Sequence, residues 1–267
     1  MKSFRAPLVL FASLSLLPLA QAAEKEWSIN VKQETNGFSV HVGGTTSVGH
    51  SAHRIKGSGK AVEVARALSP FSRVKVSGPV DVVLVQGNSE GAQVRADDNI
   101  ESMITTQVEG DTLVVGVKPG ASFSTRQELR VTVQFKQLQA LHLSASGDAK
   151  LDRYKGERLE LDLSGSGDLQ IGQLDVRELT ARLRGSGDVQ VAGTAERQDW
   201  HLSGSGDVAA ASLSGQKIKA RLSGSGDLDV GVCQELEATL SGSGDLSYAG
   251  RPQVKSQISG SGEISAR

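Results

Sequence analysis

The sequence predicts an all-β protein whose second half is a right-handed parallel β-helix, or β-solenoid, of roughly 20-residue coils, preceded by a longer-stranded β region. Three observations predict it. A five-residue motif, Ser-Gly-Ser-Gly-Asp, recurs at a nearly fixed spacing. The residue five places before its acid is apolar in every copy. Apolar residues before and after the motif alternate with polar ones at a spacing of two, the period of a strand with one buried face.

The motif is identical at 164–168, 203–207, 223–227 and 241–245. Near-copies stand at Ser144-Ala145-Ser146-Gly147-Asp148, Arg184-Gly185-Ser186-Gly187-Asp188 and Ser259-Gly260-Ser261-Gly262-Glu263. The acids fall at 148, 168, 188, 207, 227, 245 and 263, giving periods of 20, 20, 19, 20, 18 and 18 residues. A unit that short cannot bury its own apolar face, so copies must stack.

With each acid as position zero, position minus five reads Leu143, Leu163, Leu183, Leu202, Leu222, Leu240 and Ile258, and minus seven Leu141, Leu161, Ala181, Trp200, Ala220, Ala238 and Ser256. At minus nine Leu159, Leu179, Ile218, Leu236 and Val254 recur. Those columns are expected to face inward on one strand. A second short strand follows the corner, with Ala149, Leu169, Val189, Val208, Leu228, Leu246 and Ile264 at plus one and Leu151, Ile171, Val191, Ala210, Val230, Tyr248 and Ala266 at plus three. Tyr154, Leu174, Leu213 and Cys233 at plus six mark a third inward site. The right hand follows from the general preference of parallel crossovers. The corner glycines are expected to adopt backbone angles closed to other residues and to let coils stack tightly. The outward column at minus eight alternates in sign from Asp199 through Lys219 and Glu237 to Lys255, as expected for register control on a wet face.

Upstream, Val74-Lys75-Val76-Ser77-Gly78-Pro79-Val80-Asp81-Val82-Val83-Leu84 is a degenerate copy centred on Asp81. Between it and Asp148 the sequence predicts longer strands at 94–96, 104–108, 113–117 and 129–135, with a turn at Glu109-Gly110-Asp111. A hairpin is predicted from 28–32 and 38–42 about Asn36-Gly37, followed by a Gly/Ser/His-rich linker over 43–60.

The first 22 residues have a basic start (Lys2, Arg5), an apolar stretch from Leu8 to Leu19 and the small-residue site Ala20-Gln21-Ala22, which together read as an export signal. The apolar stretch is short for a membrane span and is flanked by Pro7 and interrupted by Pro18. No other stretch is long enough, and no cysteine near the cleavage site could carry a lipid, so the expectation is an exported chain, periplasmic or extracellular, without a membrane span after cleavage. The expected division is a signal peptide (1–22), an N-terminal segment with hairpin and linker (23–63), a longer-stranded region (64–137) and the repeat solenoid (138–267).

Losing Lys2 and Arg5 moves the formal charge from −1 to −3, without the basic footprint of a nucleic-acid binder. Cys233 is the only cysteine, so no intramolecular disulfide can form. Aromatics make up 4% of the chain, which suits a narrow aliphatic core.

The seven corner acids, Asp148, Asp168, Asp188, Asp207, Asp227, Asp245 and Glu263, are the candidate binding residues. Stacking sets like charges ~5 Å apart, which costs roughly 0.8 kcal/mol per neighbouring pair even in water, so something must offset it. One reading has each acid accept hydrogen bonds from nearby backbone N–H groups or Ser hydroxyls and hold its corner together. The other is a row of calcium sites. The first is preferred, because the calcium solenoid repeat spaces its residues as G-G-x-G-x-D, whereas here aspartate directly follows glycine. No cofactor is otherwise expected. His41, His50 and His53 could form only a loose metal site in the linker, and His142 and His201 share an outward column three coils apart. Cys233 reads as a buried, inert thiol. Gly57-Ser58-Gly59-Lys60 lacks the spacing of a phosphate loop.

From about Phe71 to Arg267 the chain resembles the bacterial auto-transporter adhesin head domain family, also called the head GIN domain. The resemblance rests on Phe71-Ser72-Arg73-Val74-Lys75-Val76-Ser77-Gly78-Pro79-Val80-Asp81-Val82, on Gln86-Gly87, on Val94-Arg95-Ala96-Asp97-Asp98-Asn99-Ile100 and on the repeats. It implies an exported β-helical protein and transfers no catalytic residues. The sequence stops inside a repeat at Arg267, so no membrane barrel is expected to follow. The expected function is a non-catalytic adhesion or surface-binding module at the cell envelope, with a polysaccharide or surface protein as partner. The alternatives are a polysaccharide lyase or hydrolase on a β-helix, whose paired carboxylates neighbouring coils could supply, and a purely structural, calcium-stabilised envelope protein.

Overall fold

The computed structural model describes residues 28–34, 37–43 and 54–267. The signal peptide, His50 and His53 lie outside them, and so does most of the linker. Two compact units are present, Met1–Ser51 and Ala52–Arg267. In the first, strands Ser28–Glu34 and Gly37–Gly43 pair antiparallel as the predicted hairpin, with Gly37 already opposite Glu34. Ile55–Lys56, which falls within the predicted linker, is a short strand of the second unit and pairs parallel with Phe123–Ser124.

The second unit is a β-solenoid. Its broad side stacks Arg73–Gly78, Ala140–Ala145, Arg158–Leu163, the second halves of Leu169–Leu183 and Val189–Leu202, then Lys217–Leu222, Glu235–Leu240 and Gln253–Ile258, all parallel. The register is that of the columns: Val76, Leu143, Leu163, Leu183, Leu202, Leu222, Leu240 and Ile258 lie one above another. From Val76 to Leu240 this column is 3% exposed or less. Past the corner a second side repeats in register through Val82, Ala149, Leu169, Val189, Val208, Leu228, Leu246 and Ile264. Register shifts on that side, such as the one between Ile171 and Leu174, turn the chain onto a third side, where Tyr154, Leu174, Leu213 and Cys233 are buried.

One coil fills its columns differently. Gln198 stands in the apolar minus-nine column, fully buried; its side-chain oxygen accepts from Trp200 Nε1 at 3.1 Å and its Nε2 donates to the Ala195 carbonyl at 3.3 Å. Trp200 fits in the minus-seven column because its stacked neighbours, Ala181 and Ala220, are small.

Sequence order and stacking order part company before residue 138. The chain first lays down Arg73–Gly78 and Asp81–Gln86. It then places Thr112–Val117 and Arg130–Phe135 on one side of that coil and Ala140–Ala145 and Ala149–Lys155 on the other. Antiparallel strands finish this end: Ile104–Glu109 on Thr112–Val117, Gly91–Asp97 on Arg130–Phe135, and Ala61–Ala67 on Gly91–Asp97. Arg66 fastens them, donating to the Ile104 carbonyl at 2.7 Å and Thr106 Oγ1 at 3.0 Å and pairing with Glu101. At the far end Val254 and Ile258 are 41% and 47% exposed. The inward pattern holds there, but among the described residues no further coil covers it. Among the described residues no helix is long and apolar enough to cross a membrane.

Candidate functional site: the acidic corner and its groove

In the corner, backbone N–H groups bond down onto the preceding coil. Ser186, Ser205 and Ser225 donate to the carbonyls of Gly165, Gly185 and Gly204, each at 3.1 Å. The glycines are required by this closeness. A Cβ at Gly204 would lie 2.0 Å from the Gly185 oxygen, and one at Gly206 would lie 2.1 Å from the Gly187 oxygen. The glycines serve the tight stacking and not unusual backbone angles: among the described residues the positive-φ glycines are at 59, 78, 110, 120, 193 and 250, and none belongs to an SGSGD corner.

The acid completes the ladder where the backbone turns. Asp168 N–H donates to Oδ1 of Asp148 at 3.0 Å, Asp188 to Asp168 at 2.8 Å, Asp207 to Asp188 at 2.8 Å, and Asp227 to Asp207 at 2.8 Å. Asp245 donates to Asp227, and Glu263 to Asp245, each at 2.7 Å. Each carboxylate therefore stands in for a carbonyl and ties the next coil's corner, where the sequence reading had it tie its own. A hydrogen bond to a charged acceptor contributes about 1.5–3 kcal/mol. That exceeds the roughly 0.8 kcal/mol of repulsion between neighbours. The row begins one rung earlier than the seven acids, since Asp148 N–H donates to Oδ1 of Asp81 at 3.0 Å. Position zero of the degenerate copy was the signal for it. Among the described residues no backbone N–H donates to Glu263, and there alone the longer acid occurs.

Among the described residues none donates to the second carboxylate oxygen of these aspartates, and no ion pair includes them. Asp81, Asp148, Asp168, Asp188 and Asp207 line one wall of an open groove of about 580 Å³. Its floor is the outward row Val83, Lys150, Gln170, Gln190 and Ala209, in register from coil to coil. Arg130, ion-paired with Glu128, stands at the capped end.

The broad side is different, a lattice of exposed ion pairs. Arg184 pairs with Asp162 at 2.6 Å and Arg197 with Glu178 at 2.7 Å, and Arg182 pairs with Glu160. Arg197 beside Glu178 holds that carboxyl below its usual range. In the alternating column Lys219 reaches Glu237 at 3.8 Å, but Asp199 takes Arg221 at 2.9 Å and His201 at 3.1 Å from the neighbouring column. Pairs this exposed add little stability and fit a role in fixing register.

The remaining candidates take structural places. His41 lies in strand Gly37–Gly43. His142 and His201 are on the broad side near Asp162 and Asp199. Cys233 is 7% exposed, and burial pushes its thiol above the usual value. The Gly57–Lys60 segment is latched by carboxylates: Asp97, 1% exposed, accepts from Gly59 N–H at 2.6 Å and from Thr125, while Ser58 donates to Asp98 at 2.6 Å. Among the described residues no three His, Cys, Asp or Glu side chains converge as a metal site.

A capped stack of parallel coils that presents one polar residue pattern over and over on its surface defines the class: a β-solenoid head. The chain belongs to the family described as "Putative auto-transporter adhesin, head GIN domain", which matches residues 70–252. A search of curated proteins found no match. Among solved structures, a protein from Bacteroides fragilis named "putative adhesin" superposes with a TM-score of 0.76 at 22% identity, covering 80% of this chain and 100% of that one. A "putative lipid binding protein" from Parabacteroides distasonis gives 0.65 at 26% identity, over 80% and 99%. A "putative adhesin" from Parabacteroides merdae gives 0.64 at 22%, over 80% and 99%. These relatives share the solenoid.

Proposed function

We propose that the protein is a non-catalytic, exported binding module of the cell envelope that docks an extended polysaccharide along the acidic groove. The observation that carries this is the row of five carboxylates, one per coil, each with one oxygen engaged in the fold and the other without a protein donor. Rungs repeat at roughly 4.8 Å, so the groove offers a regular series of acceptors beside the Gln170 and Gln190 amides. Its negative wall favours neutral or amino-sugar polymers over uronic-acid polymers. The family name and the relatives named as adhesins support attachment in general terms. The case against catalysis is the sameness of the rungs, because hydrolysis needs an acid and a base made different by their surroundings.

The test is retention of neutral, amino-sugar and acidic polysaccharides by the purified protein, with solution viscosity followed in parallel. Neutral or amino-sugar polymers are expected to bind without losing viscosity. The Asp168→Asn/Asp188→Asn variant, which keeps the Oδ1 acceptors but removes two charges, should bind amino-sugar polymers more weakly at low salt. Retention of acidic polymers alone, or falling viscosity, would refute the proposal.

A further inference from the structure

The strand Gln253–Ile258 pairs with Glu235–Leu240 along one edge, and among the described residues nothing pairs with its other edge. Gln253 N–H and Ser259 N–H donate to the Gln234 and Leu240 carbonyls, both at 2.8 Å. Alternation along the strand therefore turns the N–H and C=O groups of Val254, Ser256 and Ile258 toward the open edge. Those same three residues are the inward columns left uncovered there, with Val254 and Ile258 41% and 47% exposed. An edge that offers free backbone groups and apolar side chains together is a template for another strand.

We infer that this edge pairs with the same edge of a second copy, antiparallel and about a two-fold axis through Ser256. The sequence is self-complementary about that residue: Val254 comes opposite Ile258, Ser256 opposite itself, and Lys255 opposite Gln257. Every backbone group facing the open edge then lies in a hydrogen-bonded pair, and inward columns meet inward columns. A one-residue slip would set apolar residues against the wet face. A two-residue slip one way would bring Lys255 against Lys255; the other way would leave Val254 opposite Gly260. The same axis brings the corner carrying Glu263 to the side where Arg251 of the second copy stands, opposite charges at either margin of the strand. The result is a closed dimer along this strand, because a two-fold contact uses the same edge of both copies. The capped end offers no equivalent: its outer strand Ala61–Ala67 carries Glu63 and Arg66, and Arg66 is tied to Glu101, Ile104 and Thr106.

The experiment is sedimentation velocity of the purified protein over a wide concentration range, together with oxidative cross-linking of variants that each carry one added cysteine. A dimer is expected. Ile258→Lys should sediment as a monomer, with a melting temperature within about 2 °C of the parent's when both are diluted to the monomer, since in the single chain the residue is half exposed. Opposed Cα atoms in a hydrogen-bonded pair lie about 5.5 Å apart, inside the roughly 4.4–6.8 Å that a disulfide spans. Ser256→Cys should therefore cross-link, whereas Lys255→Cys and Gln257→Cys, diagonal to their own copies at about 7–8 Å, should not. Cys233 is buried and out of reach. A monomer at every concentration, species growing beyond a dimer, or cross-linking at 255 or 257 in preference to 256 would overturn the inference.

Discussion

The two ends of the solenoid are finished in opposite ways. At one, antiparallel strands, the buried Ile100 and Ile104 and the Arg66 anchor close the core. At the other, the last coil repeats the pattern of the coils beneath it, and among the described residues of the chain nothing covers it. Leu222 and Ile258 occupy the same column, yet one is 1% and the other 47% exposed. In a solenoid a side chain is buried by its copy in the next coil, so its position in the repeat decides which way it points and its position in the stack decides what that costs.

That contrast can be broken most forcefully by placing a charge in the column. Leu222→Asp, in a fully covered rung, should cost at least about 4 kcal/mol. At roughly 2–4 °C per kcal/mol for a unit of this size, the melting temperature should fall by about 8–16 °C. Ile258→Asp, compared with the parent at dilutions where both are monomers, should cost under about 1 kcal/mol, because in the single chain the carboxylate stays in water. Equal effects in thermal denaturation at those dilutions would mean that the last coil is covered within the single chain, like the others.

The same contrast explains what could be read in the sequence. In the repeat, each residue's surroundings are copies of itself, so a column of leucines announces its own burial, and the corner, both strands and the third inward site were legible. In the capped end each contact is unique. Asp97 is buried because Gly59, 38 residues away, donates to it, and no spacing signals that. The insertion of Thr112–Val117 and Arg130–Phe135 on the early side of the first coil left no periodic trace either. Gln198 is not legible in that way, because a polar residue in an apolar column gains its meaning only from Trp200, which bonds it in the fold. The acids were legible as a row, but not their direction of bonding, since tying one's own corner and tying the next one demand the same residue at the same place.

The direction of bonding is itself testable, with an effect of middle size. Asp207→Ala removes the acceptor for Asp227 N–H and should cost about 1–3 kcal/mol. Asp207→Asn keeps an oxygen at that place and relieves repulsion from two neighbours, so it should fall within about 0.5 kcal/mol of the parent. Glu263→Ala, at a residue to which none of the described backbone N–H groups donates, should also be nearly silent. If Asn were as damaging as Ala, the negative charge rather than the acceptor would be what the corner needs, and the ladder would have to be explained by something other than the next coil's N–H.

The smallest expected effect is that of calcium, and it separates a row of fold-holding acceptors from a row of cation sites. Calcium takes six to eight oxygens at about 2.3–2.6 Å. Each rung has one oxygen already bonded to a backbone N–H, leaving one per coil at intervals of roughly 4.8 Å. Two successive free oxygens could approach one ion, and water would have to supply the rest, which makes for weak sites. Adding millimolar calcium should therefore move the melting temperature by less than about 2 °C, and a chelator should change nothing. Tight sites would behave differently, because each contributes RT ln(1 + [L]/Kd), about 2.7 kcal/mol at a hundredfold excess over Kd, and several would add along the stack. A chelator-sensitive rise of about 10 °C or more would show that the rungs rearrange to bind the ion, at the expense of the bonds that now join one coil to the next.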